Sequence, residues 1–159
     1  MSGTHLHSEP EEGILRLRGY RLSLATIVAL LALTAAALAS TGSLDPEGCV
    51  AGTASNPDGC AQTAKGLDGP YSVAVSADGK SVYVAGTSDS AIVRFNRNAT
   101  SGALTPNGCV ADPVNNPDGC TKTAPGLDNA DWVTVSPDGT SVYAVGGGDN
   151  AIVLFGRVL

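Results

Sequence analysis

Histidine is absent after His7, and the chain of 159 residues holds only two in all. Methionine and tryptophan occur once each, aromatic residues make up 4% of the chain and charged residues 15%. Without imidazole beyond residue 7, general-base chemistry in the body of the chain would fall to carboxylates, Tyr or Lys. Basic residues are equally sparse. Past residue 22 they are Lys65, Lys80, Arg94, Arg97, Lys122 and Arg157, scattered along the chain. Phosphate affinity needs clustered cations, so nucleic acid is excluded as a partner. The three Glu and three Arg before residue 23 cancel, which puts the whole net charge of −6 on the remainder of the chain. Few aromatics combined with abundant Gly, Ser, Thr, Asp and Asn suit short strands joined by turns, and do not suit a helical bundle.

The four cysteines fall as two pairs of identical spacing, Cys49/Cys60 and Cys109/Cys120, with no thiol left over. In an exported chain, this even pairing reads as two local disulfides. Tetrathiolate metal binding is the competitor. It is disfavoured because ten residues separate each pair, where metal sites use two to four. Export is indicated at the N-terminus. A polar region (1–23) carries Arg16, Arg18 and Arg21 ahead of the uncharged run 24–39, which ends in Ala37-Leu38-Ala39 before a small-residue linker, 40–43. This is the layout of a signal peptide with an A-x-A cleavage site. An uncleaved membrane anchor is the alternative, because the leading region is long for a signal. In either case the arginines precede the run and Asp45 and Glu47 come after it. The repeats are then expected outside the cytoplasm, secreted or membrane-anchored through 24–39.

The rest of the chain is a repeat. Val73–Arg97 recurs as Val133–Arg157, sixty residues on, and the same shift maps Leu44–Ala51 onto Leu104–Ala111 without insertion or deletion. Apolar residues alternate at Val73 and Val75, then at Val82 and Val84, as in strands with one buried face. Ser76-Ala77-Asp78-Gly79 and Ser136-Pro137-Asp138-Gly139 have turn chemistry, with Asp bonding local backbone and Gly supplying positive φ. The expectation is three strands per repeat, near 71–76, 81–85 and 91–96, and a fourth near 103–111. A further strand is expected at 44–51. Four-stranded meanders in series are the mark of propeller blades.

The pattern V-x-V-S-x-D-G-x-S-V-Y at Val73–Tyr83 and Val133–Tyr143, followed by A-I-V-x-F-x-R at Ala91–Arg97 and Ala151–Arg157, resembles the YVTN/lactonase-type β-propeller repeat. The resemblance covers residues 44 to 158 and departs from the family in its cysteine loops and in having two repeats. It implies an all-β fold of about two four-stranded antiparallel blades (44–103 and 104–159), preceded by an apolar signal or anchor helix. It also implies one alternative activity, that of a lactonase-like, phosphogluconolactonase-related hydrolase. The superfamily hosts enzymes, binding proteins and scaffolds alike, so blade likeness does not assign a reaction.

No catalytic residue can be named from the sequence. Asp78/Asp138 and Asp58/Asp118 read as turn formers. Asp68, Asp128, Asp89 and Asp149 are weak candidates for Ca²⁺ ligation, but without a D-x-D-x-D-G run, turn and cap roles come first. Tyr83 and Tyr143 are expected to pack. Asp131-Trp132 stands where the first repeat has Tyr71-Ser72, at a strand entry. Trp132, Asp131 and Tyr71 are therefore the ligand-binding candidates, with simple packing as the plainer role for a lone Trp. Asn98-Ala99-Thr100 matches a glycosylation sequon.

These residues point to an exported, non-catalytic scaffold or binding module. A carbohydrate- or peptide-binding oligomer is the further alternative. Two blades cannot close a ring, which leaves an interrupted array, a homo-oligomer or association with other propeller blades, or a small sandwich.

Overall fold

The structure, a computed structural model, describes residues 16–17, 20–21 and 42–158. The apolar run 24–39 lies outside the described residues. β1 (Arg16–Leu17) and β2 (Tyr20–Arg21) pair antiparallel within a unit spanning residues 1–45. The second unit, from Pro46 onward, holds both repeats. Among the described residues it is all-β, with no helix.

The unit begins with β3 (Val50–Gly52) and β4 (Gln62–Ala64), which pair in parallel across the first cysteine loop. Next comes a five-stranded sheet in sequential order: β5 (Pro70–Val75), β6 (Ser81–Gly86), β7 (Ala91–Arg97), β8 (Leu104–Ala111) and β9 (Lys122–Thr123). Its first four strands are an antiparallel meander, and β9 joins β8 in parallel. The second repeat forms a three-stranded antiparallel sheet: β10 (Ala130–Val135), β11 (Ser141–Gly146) and β12 (Ala151–Gly156).

Each disulfide forms as the spacing indicated, Cys49 to Cys60 and Cys109 to Cys120. The loops they close are built alike. Cys60 N–H donates to Asn56 Oδ1 at 2.7 Å and Asn56 Nδ2 donates to Cys60 O at 3.0 Å. Asn116 and Cys120 repeat both bonds at the same lengths. The Ser-x-Asp-Gly turns are locked in the same way, with Ser76 Oγ donating to Asp78 Oδ1 at 2.6 Å and accepting Ser81 N–H at 3.0 Å.

Register decides which side chains share a face. Val82 lies opposite Phe95 and Val84 opposite Val93, so these line one face of the first sheet, while Tyr83, Ala85 and Ile92 line the other. The first face is covered by Ala64, Leu67 and Val50 from the preceding loop. The second face receives the other repeat. Val133, Val142 and Ala144 cluster with Tyr83, Ala85 and Ile92, and Leu127 and Ala130 are buried at the seam. Val133, Val142 and Ala144 are the copies of Val73, Val82 and Val84. Equivalent sheets therefore stack head to tail, the front of one on the back of the one before. Each large side chain buried there is worth about 1.5–3 kcal/mol.

Two expectations need correction. Residues 44–51 do not form a full strand: only Val50–Gly52 does, and residues 42–49 are exposed without strand pairing. Alternation also suggested a buried face for Val73 and Val75, but both are exposed, Val73 at 65%. Their copies on β10 are covered by the first sheet, whereas among the described residues no equivalent meander sheet covers β5.

Candidate functional site

The linking segments after each cysteine loop carry most of the polar chemistry. They run over the ends of the strands, and tight backbone approaches position them. A Cβ at Gly86 would overlap the carbonyl of Gly66, and one at Gly146 would overlap that of Gly126. Glycine at both positions lets the link lie directly on the strand end.

Four of the acidic candidates pair up across these ends. Asp89 Oδ2 accepts the N–H of Asp68 at 2.7 Å, and Asp149 Oδ2 accepts the N–H of Asp128 at 3.0 Å. Both carboxylates thus cap backbone, tying each hairpin turn to the link before it. Asp128 Oδ1 further accepts from Ser90 Oγ and Asn115 Nδ2, each at 3.2 Å. Ser90, at φ 50°, and Asn150, at φ 52°, hold equivalent left-handed turn positions. Among the described residues no group of three or more His, Cys, Asp or Glu is arranged to hold a metal ion. The cap geometry gives one oxygen of Asp89 and one of Asp149 to a backbone N–H donor.

Asp118 does more than form its own turn. Its Oδ2 accepts from Thr53 Oγ1 at 2.6 Å and from Gly66 N–H at 2.9 Å, so the second cysteine loop is tied to the first. It also lies beside Asp89. Burial pushes the Asp89 carboxyl up, Asp68 N–H opposes this, and the charges of Asp118 and Asp68 add to the rise. Burial raises Asp118 too, but the bonds from Thr53 and Gly66 prevail and hold it below the ordinary carboxylate range. In the sequence, Asp118 reads no differently from its copy Asp58. The contact that separates them spans 65 residues and leaves no local signal.

The ligand-binding candidates Asp131, Tyr71 and Trp132 do not converge within one chain. Asp131 faces the first sheet, where Thr87 Oγ1 donates to its Oδ1 at 3.4 Å and to Ala130 O at 2.9 Å. Tyr71 holds the same place in the first sheet and is exposed on the side away from the second. Trp132 lies opposite Val145 and is 58% exposed on the far face of the second sheet. Tyr83 is buried in the seam, while its copy Tyr143 is partly exposed.

A groove of about 560 Å³ runs beside β12, lined by Val153–Val158 on one side and by Tyr83, Ile92, Val110 and Lys122 on the other. Sequence reasoning does not find it, because it exists only where the two sheets meet.

No family model matches the chain, and no curated protein matches it significantly. Solved structures do match in part. A candidate 6-phosphogluconolactonase of Bacteroides uniformis is 20% identical over 58% of this chain and 24% of its own, with a TM-score of 0.46. A candidate 6-phosphogluconolactonase of Bacteroides fragilis is 20% identical over 56% of this chain and 21% of its own, with a TM-score of 0.41. Hydrazine synthase of Kuenenia stuttgartiensis is 19% identical over 57% and 20%, with a TM-score of 0.41. This chain spans about a quarter or less of the length of each.

Proposed function

We infer that the chain is a non-catalytic binding module made of β-propeller blades and working outside the cytoplasm. One observation carries this reading. The outward face of the second sheet exposes Trp132, Ile152 at 69% and Leu154 at 62%. The corresponding places in the first sheet hold Ser72, buried Ile92 and Arg94. Contiguous apolar surface of this kind marks a binding face. The blade reading is supported by the repeated strand motifs and the sequential meander. Two disulfides suit an oxidising compartment.

The lactonase-like alternative rests on the motif resemblance alone. It is tested by measuring δ-lactone hydrolysis by the full chain, with and without Ca²⁺. The expected rate equals the uncatalysed one, and turnover abolished by EDTA would overturn the binding reading. Export is tested by protease accessibility of the repeats in intact cells, where protection would refute the compartment.

A further inference from the structure

We propose that a second copy of this chain docks on the outward face of the second sheet, head to tail, and adds its residues Pro46–Gly52 to β12 as a fourth strand. The proposal deepens the binding reading above by naming the partner, and it rests on that reading.

The template is inside the molecule. In the first sheet, β7 is covered by β8, with Ala91, Ile92, Val93 and Phe95 opposite Ala111, Val110, Cys109 and Pro106. In the second sheet β12 is an edge strand, paired among the described residues only with β11. The segment homologous to β8 is Leu44–Ala51, of which Pro46–Cys49 are exposed and among the described residues in no strand. It cannot serve its own β12. Val50 packs against the cluster of Ala64, Leu67, Val82, Val93 and Phe95, on the face of the first sheet turned away from the second. In a second copy stacked as the two repeats are stacked, the same segment would lie along β12, with Cys49 opposite Val153 and Pro46 opposite Phe155. It would fill the groove beside Val153–Val158. Edge strands with free N–H and C=O groups are ready sites for such addition.

The burial of equivalent residues fits the same account. Phe95 is 1% exposed, while its copy Phe155 is only half-buried.

Charge is also complementary. Arg157 Nη1 donates to Gly139 O, in its own sheet, and Nη2 to Asp78, in the sheet before. Its copy Arg97 makes the first bond, Nη1 to Gly79 O at 3.0 Å, and among the described residues has no counterpart of Asp78 to reach. Asp138 is the copy of Asp78. A docked second copy brings its Arg97 to Asp138.

The seam differs in a compensating way where the repeats differ. Inside the chain, Thr87 meets Asp131. Between copies, the corresponding residues are Gly147 and Tyr71, a missing side chain opposite a large one. Trp132 would join Tyr71 of the neighbour at this seam, so two of the three ligand-binding candidates converge only across two copies. A contact of unlike faces is heterologous and propagates until it closes.

The test is sedimentation equilibrium of the full chain in density-matched detergent, with Val73→Asp and Ile152→Asp variants. Both substitutions are at exposed positions, so each chain should fold. The wild-type chain is expected to be multimeric and each variant alone monomeric. A mixture of the two should form a 1:1 dimer, because each keeps one intact face. A monomeric wild type would overturn the proposal. So would a Val73→Asp chain that dimerises by itself, which means like faces pair, or an Ile152→Asp chain of wild-type mass, which means assembly runs through the N-terminal apolar run. Asp138→Arg is a second variant, expected to weaken association roughly tenfold or more and to be rescued by mixing with Arg97→Asp. A monomeric wild type that also lacks lactone turnover sinks the self-docking proposal without touching the binding reading. Lactone turnover sinks the latter.

Discussion

Arg157 Nη2 donates to both carboxylate oxygens of Asp78, at 3.0 and 2.8 Å, joining the last strand of the second repeat to the first turn of the first repeat. The arginine side chain is nearly buried and the aspartate is not. Asp78 is held far below the ordinary carboxylate range, first by the Ser76 hydroxyl and then by Arg157.

That pair sets a pH dependence. A carboxyl with a depressed folded pKa contributes stability above its unfolded value, about 3.9, and loses it as pH falls through the folded one. Wild type should therefore melt above Arg157→Met at neutral pH, with the gap closing progressively below about pH 4. Thermal melts of both proteins from pH 7 to pH 2 would check this. A gap that stays constant through acid would refute the ion-pair account.

Copies at one repeat position should differ in energetic weight. Phe95→Ala empties a closed core and should cost about 4 kcal/mol, whereas Phe155→Ala, at a half-buried site, should cost about 2 kcal/mol. Urea unfolding at a dilution where the chain is monomeric is the measurement. Equal losses would mean that Phe155 is covered in the free chain.

Glycine in the strands is needed at some positions and not at others. Gly86→Ala drives a Cβ into the Gly66 carbonyl and should destabilise by about 3 kcal/mol. Gly156→Ala meets nothing within 4 Å and should be neutral or gain about 0.5 kcal/mol. Chemical denaturation of the two variants gives a direct comparison.

Each disulfide closes a loop with a sequence separation of 11, for which chain entropy predicts about 3 kcal/mol. Replacing Cys109 and Cys120 by Ser should cost about that much. It should also loosen the ties from Asp118 to Thr53 and Gly66, raising amide exchange at Gly66. Unchanged exchange at Gly66 would show that the second cysteine loop is held by other contacts.

The meander strands β5–β8 and β10–β12 were legible to within a residue or so, because a period of two and Ser-x-Asp-Gly turns are local signals. The same holds for the disulfides, whose spacing is repeated. By contrast, the strand expected at 44–51 shrank to Val50–Gly52, and the short parallel strands β4 and β9 had no such signal. The burial of particular strands was not legible. Val73 and Val133 sit in near-identical segments, yet one is exposed and the other lies in the core. The acidic candidates were visible as residues but not as a geometry. Asp89 and Asp149 are caps, and Asp118, which joins the two cysteine loops, looked like any turn aspartate.

The sequence by itself determined the repeat, its strands and turns, its two cysteine loops and the likeness of those strands to propeller blades. These arise from backbone preferences and side-chain alternation over a few residues. Only the tertiary structure decided which faces are covered, that the sheets stack front to back, and that among the described residues Pro46–Cys49 and the edge of β12 are left unpaired. Burial depends on what arrives from sixty residues away, and two copies of one segment meet different neighbours.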